Sequence, residues 1–266
     1  MLSQFRQNLN QSVAASIVAL VCVVALGVLQ RPQLTQLRGG AENASPEALQ
    51  KEVESEKVRI NLLKKFPAFG FDNLLADWAF LGFLQYFGDD EVRKITGYRL
   101  SPDYFDVIIN RDPKFLKAYL FLSGSSSLYA GMPERSVALM EKGLKSLSPQ
   151  APPGSYYVWR YKATDELLFL GDAQAARQSF EKAVEWASTY SDEESKNVAA
   201  VSRRTAEFLT RNPLSKSAQV NAWSMVLSTA PDDRTRKIAI SRVEALGGKV
   251  IITPEGAVKI RLPQAD

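Results

Sequence analysis

The sequence has few residues of the types that catalysis or metal binding usually requires. Histidine is absent and Cys22 is the one cysteine. This excludes His bases, Ser-His and Cys-His pairs, His or Cys metal clusters and intrachain disulfides. The serine-rich run 123–127 lacks a G-x-S-x-G pattern, and the chain has no glycine-rich phosphate or dinucleotide motif. We therefore predict a protein that is not an enzyme and has no cofactor and no metal.

Two groups of carboxylates remain as candidates for acid–base or metal chemistry. Asp103 and Asp106 are three residues apart, so they share a face of a helix. The acidic run 89–91 has no further carboxylates at calcium-loop spacing. Ser101-Pro102-Asp103 is also a typical helix start, and acids in a first turn interact favourably with the helix dipole. We interpret both groups as helix-start residues, and a carboxylate enzyme is the weakest hypothesis.

The N-terminal part of the chain contains an uncharged apolar segment at residues 13–29 (VAASIVALVCVVALGVL). As a helix it would be about 26 Å long, near the ~30 Å of a bilayer core. It is longer than the apolar part of a signal peptide and no A-x-A site follows, so we favour a single-pass anchor over a cleaved signal. Arg6 precedes the segment and Arg31 and Arg38 follow it, which slightly favours a cytoplasmic body.

Charge outside this segment is nearly balanced. Residues 42–266 contain 30 basic and 29 acidic side chains, because three of the 33 basic residues precede residue 42. A nucleic-acid partner is therefore not expected. Between Arg203 and Arg261 basic residues outnumber acids, which suits anionic lipid headgroups, an acidic partner or a solvated surface without a partner.

Helical periodicity dominates the remainder of the chain. Ser45-Pro46-Glu47 opens a helix that runs to about residue 65. Nine further helices are predicted at 72–87, 101–110, 115–129, 134–146, 155–169, 173–189, 193–210, 214–228 and 232–245. Two short strands at 249–252 and 257–262 flank a Pro-Glu-Gly turn. The predicted fold class is all-α, an antiparallel helical stack that ends in a short β-hairpin.

Three segments share a side-chain pattern with a repeat of about 34 residues. They contain Trp78, Leu81, Gly82 and Phe105; then Leu120, Gly124, Ser136 and Met140; then Trp159, Gly171, Asp172, Ala176, Phe180 and Ala183. This pattern resembles the tetratricopeptide repeat (TPR) over residues 71–189. An insertion follows Gly88, and the second helices are 35 and 40 residues apart, where the family has a steady 34. A general all-α bundle is the alternative.

The TPR resemblance implies close helix pairs with small residues at their crossings, at Gly82, Gly124, Ser136, Ala176 and Ala183. The resulting domain boundaries are an anchor at 1–30, a linker and juxtamembrane helix at 31–70, the repeats at 71–189, degenerate or capping helices at 190–246 and a hairpin tail at 247–266.

The resemblance also implies a concave face lined by the first helix of each pair. This face would present a partner-binding set of Phe83, Tyr86, Phe121, Ser125, Tyr129, Tyr161, Asp165 and Phe169. Aromatic side chains are common anchors in protein interfaces, and a groove lined by them suits an extended peptide or an amphipathic helix. The alternative for each aromatic residue is a place in the core.

These features predict a membrane-anchored module for protein–protein interaction, held in the bilayer by residues 13–29. Its architecture is similar to that of anchored TPR proteins of bacterial inner membranes and thylakoids, some of which assist the assembly of photosynthetic complexes. That resemblance implies a scaffold or assembly factor. A permanent structural subunit of a bacterial membrane or secretion machine is the alternative.

Overall fold

The computed structural model describes residues 45–211, 216–230, 233–252 and 258–263, together with Leu20, Val24, Ala25, Gly27 and Val28. The chain divides into two units, residues 1–48 and 49–266. Among the described residues no helix combines the length and the apolar character that crossing a membrane requires. The predicted anchor at 13–29 lies mostly outside the described residues.

The described residues form eleven α-helices, two π-helical segments and two strands. In chain order they are α1 (Pro46–Lys65), α2 (Asp72–Gly88), α3 (Asp90–Thr96), α4 (Ser101–Arg111), α5 (Leu116–Leu122), π1 (Ser123–Tyr129), α6 (Pro133–Leu144), α7 (Tyr156–Asp165), π2 (Glu166–Leu170), α8 (Ala173–Ala187), α9 (Glu193–Arg211), α10 (Lys216–Thr229), α11 (Asp233–Ala245), β1 (Lys249–Ile252) and β2 (Val258–Arg261).

These elements confirm the predicted mostly helical fold with a small antiparallel sheet. They differ from the prediction in three segments. The short helix α3 fills the insertion after Gly88, where its N-cap Asp89 accepts a hydrogen bond from the amide of Val92. The long helices predicted at 115–129 and 155–169 each begin as an α-helix and end as a π-helix.

Helices pack in successive pairs, which gives the fold a repeat-like character. Helix α2 packs on α4, π1 packs on α6, and α7 packs on α8, which α9 then covers. The core of the first pair is aromatic, with the rings of Phe83 and Phe105 4.6 Å apart and both side chains fully buried. Apolar burial of this kind is the main driving force for such helix pairing.

Close approach within the second pair depends on Gly143 in α6. A Cβ added there would overlap the hydroxyl and ring of Tyr119, which is fully buried and donates a hydrogen bond to the carbonyl oxygen of Pro113 at 2.7 Å. Gly124, which the repeat pattern predicts at a helix crossing, has no atom within 4 Å of an added Cβ. The expectation for Gly124 was therefore wrong, and Gly143 marks the real close contact.

The last two helices pack on the end of the helical pairs and on each other. Helix α10 packs on both π1 and π2, and α11 packs on α10. The turn at Gly171 permits this approach, because its backbone has φ +69° and an added Cβ would overlap Gln219 of α10. The indole of Trp223 donates to the carbonyl oxygen of Phe169 at 3.2 Å. Strands β1 and β2 pair antiparallel, as predicted, and in the observed register Lys249 lies opposite Arg261.

The contrast between the two glycines gives a stability test. We expect Gly143→Ala to lower the free energy of unfolding by about 1–3 kcal/mol, because the buried Tyr119 must move to admit one methyl group. Gly124→Ala is the matched control and should be neutral or stabilising by up to about 1 kcal/mol, through helix propensity. Chemical denaturation followed by circular dichroism measures both. Equal effects would show that Gly143 is not a close contact.

Candidate functional site

A groove of about 680 Å³ lies between α5, α7 and the start of α9. Its wall is mostly apolar and aromatic, and its carboxylates lie on the α9 side. The lining residues are Leu116, Lys117, Leu120, Phe121, Pro153, Gly154, Tyr156, Tyr157, Val158, Tyr161, Tyr190, Asp192, Glu194 and Ser195. Concave sites of this size, with apolar walls and a few polar groups, are typical binding sites in proteins.

The α5 wall of the groove follows from how that helix divides its side chains. Ala118, Tyr119 and Leu122 are fully buried against the neighbouring helices. Leu120 and Phe121 lie on the other face, and both are exposed. A helix with apolar residues on both faces has one face left over after packing, and an exposed apolar patch of this kind commonly marks an interaction surface.

The α7 wall presents two tyrosines one turn apart, Tyr157 and Tyr161, whose rings stack with centroids 6.1 Å apart. The Tyr157 hydroxyl donates to Glu194 at 2.7 Å. Burial, and secondly this hydrogen bond, raise the pKa of Tyr157 to about 12, so the phenol stays neutral at physiological pH. In the described part of the chain the Tyr161 hydroxyl has no protein hydrogen-bond partner, which leaves it available to a ligand.

Acidic residues mark the α9 side of the groove. Asp192 accepts hydrogen bonds from the amide and hydroxyl of Ser195, at 2.9 and 2.8 Å. These bonds hold the pKa of Asp192 below its usual value, so it is ionised at neutral pH. With Glu194, the groove carries two carboxylates and one lysine, Lys117. A ligand with an apolar surface and a positive charge would complement it.

The predicted partner-binding set does not lie on one surface. Phe121 and Tyr161 line the groove, whereas Phe83, Tyr86, Ser125 and Asp165 are buried and Tyr129 and Phe169 are half-buried. The sequence pattern placed Leu120 in the repeat but did not identify it as a groove residue. Tyr157 and Glu194 were not identified as groove residues either. The short Asp-Pro turn before α5 and the second tyrosine of the Tyr156-Tyr157 pair are the signals that could have indicated them.

Tyr86 has a structural place inside the first repeat. Its hydroxyl donates to the carbonyl oxygen of Gly97 at 3.1 Å and accepts from the amide of Leu100 at 3.2 Å. The guanidinium of Arg93 lies 4.0 Å from its ring centroid. Tyr86 therefore ties α2 to the loop that follows α3. Tyr129 packs between Phe87 and Tyr98, with both pairs of ring centroids 5.1 Å apart.

Below the groove lies a buried carboxylate, Asp165, at the junction of α7 and π2. Its side chain is fully buried and accepts hydrogen bonds from Ser123, Ser127 and Ser136 at 2.7, 2.6 and 2.8 Å. Burial raises the pKa of Asp165 to about 6, although the three serine hydroxyls act in the opposite direction. The serine-rich run thus solvates a buried carboxylate.

A second polar cluster adjoins the first and is also buried. Lys162 of α7 forms an ion pair with the neighbouring Glu166 of π2 and lies 3.3 Å from Glu141. Ser179 of α8 donates to Glu166 at 2.7 Å. These groups satisfy one another inside the helix stack, as buried charges must. The described ranges contain no cluster of three or more His, Cys, Asp or Glu side chains suited to a metal ion.

Comparisons of the chain with family models, curated proteins and solved structures find no match.

The buried carboxylate predicts a specific pH dependence of stability. Asp165 has a native pKa of about 6, against about 3.9 in an unfolded chain. Between these values the native state holds a proton that the unfolded state releases, so the free energy of unfolding falls as pH rises from 4 to 6. The titration of Asp165 therefore lowers the free energy of unfolding by about 3 kcal/mol over that range.

The substitution Asp165→Asn should remove that loss. We expect the difference in unfolding free energy between pH 4 and pH 7 to change by about 3 kcal/mol relative to the wild type, measured by urea denaturation at each pH. Asp77→Asn, at an exposed aspartate of α2, is the control, and this variant should show the same pH dependence of the unfolding free energy as the wild type. An unchanged profile in Asp165→Asn would contradict the assignment.

Proposed function

We propose that this chain is a membrane-anchored protein–protein interaction module whose groove between α5, α7 and α9 binds a segment of a partner protein. Its role would be that of a scaffold or assembly factor for a membrane protein complex. The observation that carries the proposal is the groove wall, where Leu120, Phe121 and Tyr161 turn large apolar surfaces toward a hollow of about 680 Å³.

The arrangement of helix pairs supports a TPR-like reading of the repeat. In that family the first helix of each pair lines the ligand-binding face. Helices α5 and α7 are the first helices of the second and third pairs, and both contribute walls to the groove. Two of the residues that the resemblance assigns to the partner-binding face, Phe121 and Tyr161, line the groove, and this supports the proposal.

The chemistry of the groove indicates what kind of segment would fit. A hollow with an aromatic wall accommodates a few apolar side chains of an amphipathic helix or extended peptide. The carboxylates of Asp192 and Glu194 on the α9 side favour a basic residue beside that apolar surface. We therefore expect a partner segment with apolar anchors and a neighbouring lysine or arginine.

A charge placed on the groove wall tests this proposal. Leu120→Asp should reduce the recovery of partner proteins strongly in affinity purification from gently solubilised native membranes, because it puts a carboxylate on the apolar wall. Phe208→Asp on α9 is a matched control, since its side chain is 56% exposed against 53% for Leu120. Both variants should keep the helical circular-dichroism signal. Equal recovery from Leu120→Asp and the control would contradict a role for the groove.

The stoichiometry of the recovered proteins separates the two forms of the proposal. A constant set of subunits in a fixed ratio with the chain would indicate a permanent structural subunit. Substoichiometric recovery of partly assembled complexes would indicate an assembly factor. Recovery of the chain alone would contradict both forms.

The anchor at residues 13–29 has its own test. A transmembrane helix resists extraction at alkaline pH, whereas a protein held at the membrane surface is released. We expect full-length protein in native membranes to stay in the pellet after carbonate extraction. Complete release would contradict the anchor and leave the groove proposal unaffected.

A further inference from the structure

Helices α1 and α2 are joined by a turn that is held firmly in place. The guanidinium of Arg111 in α4 donates to the carbonyl oxygens of Leu63, Lys64 and Phe66, at 3.0, 3.1 and 2.5 Å. It also pairs with Asp72 at 2.9 Å. One largely buried arginine therefore fixes both ends of the turn, so the position of its side chains is built into the fold.

This fixed turn directs a phenylalanine into solvent. Phe69 is 83% exposed, and its backbone has φ +49°, a left-handed conformation that is unfavourable for a bulky residue. Such strain persists only where the surrounding structure imposes it, and it is a pointer to function. A phenylalanine held outward in a strained conformation favours an apolar environment, which the described part of the chain does not provide.

Neighbouring side chains extend this surface along both helices. On α2, Phe71 precedes Leu74 and Trp78 at helical spacing, and on α1 Leu62 lies one turn before Phe66. The six exposed side chains, here named the aromatic tip, are Leu62, Phe66, Phe69, Phe71, Leu74 and Trp78. The opposite face of α2 carries the buried residues Ala76, Ala79 and Phe83. Helix α2 is thus apolar on its core face and on its outer face, which is unusual for a helix bordered by water.

We propose that the aromatic tip inserts into the interfacial layer of a lipid bilayer. Tryptophan and phenylalanine beside lysine are the residue types that hold proteins at this layer. Asp72 is paired with Arg111, and Lys65 has no carboxylate partner among the described residues, whereas Asp77 lies exposed on α2 between Leu74 and Trp78. The charge beside the tip is therefore close to balanced, and the apolar side chains provide the driving force for insertion.

The length of the chain permits this contact. Residues 30–45 separate the predicted anchor from α1, and when extended they span up to about 50 Å. Helix α1 has 20 residues and is about 30 Å long. The tether therefore exceeds the distance from the start of α1 to the tip at its far end. The proposal does not depend on the partner of the groove.

A spin label beside the tip tests the insertion in the full-length chain. The background variant is Cys22→Ser, and the label is placed at Asn73→Cys, an exposed position between Phe71 and Leu74. Asn197→Cys, an exposed asparagine of α9, is the matched control. The protein is reconstituted into vesicles of phosphatidylcholine and phosphatidylglycerol. Electron paramagnetic resonance then measures collisions of each label with oxygen and with a water-soluble nickel complex.

Insertion predicts severalfold lower nickel accessibility and higher oxygen accessibility at residue 73 than at residue 197. Replacing Phe69 and Phe71 with serine in the same background should abolish the difference while the circular-dichroism spectrum is unchanged, because both side chains are exposed. This variant shows whether the tip side chains cause the protection.

Three outcomes would overturn the proposal. Equal nickel accessibility at the two labels in vesicle-bound protein would show that the tip lies in water and that only the anchor holds the chain in the membrane. Protection that is accompanied by concentration-dependent spin–spin coupling would identify a second copy of the chain as the occupant. Protection that survives the serine substitutions would exclude Phe69 and Phe71, the two most exposed aromatic side chains of the tip, as its cause.

Discussion

The burial of one carboxylate constrains the middle of this structure. Asp165 is removed from water entirely, and the three hydroxyls that replace its hydration come from π1 and α6. An unpaired carboxylate in an apolar interior costs several kcal/mol, so helices that moved apart would lose this compensation. The network therefore favours one arrangement of the second and third helix pairs over others of similar apolar packing.

The groove is a consequence of that arrangement. The hydroxyl of Ser123 reaches Asp165 at 2.7 Å and thereby joins the end of α5 to the end of α7. Leu120 lies about one turn before Ser123, and Tyr161 lies about one turn before Asp165. Each residue therefore lies one turn away from the polar junction on its own helix. Both line the groove. The buried polar junction and the exposed apolar walls are parts of the same helix crossing.

Most of the fold could be predicted from sequence, because turn residues and helical periodicity are local signals. The exposed surfaces could not be predicted as well, since α2 is apolar on two faces and periodicity does not distinguish the buried Phe83 from the exposed Trp78. The same limit applies to Gly124 and Gly143, which look alike until Tyr119 is placed. The π-helical segments and the burial of Asp165 depend on contacts between distant helices, which no local pattern contains.

The two exposed apolar surfaces differ in shape. The groove is a hollow between α5, α7 and α9, whereas the aromatic tip is an outward turn between α1 and α2. Helix α2, which carries part of the tip, also contacts the groove, because its Phe80 packs on Phe121 with ring centroids 5.4 Å apart. Insertion of the tip would therefore hold the groove at a fixed height above the bilayer. A segment bound there would lie close to the membrane, where an incoming subunit of a membrane complex would present it.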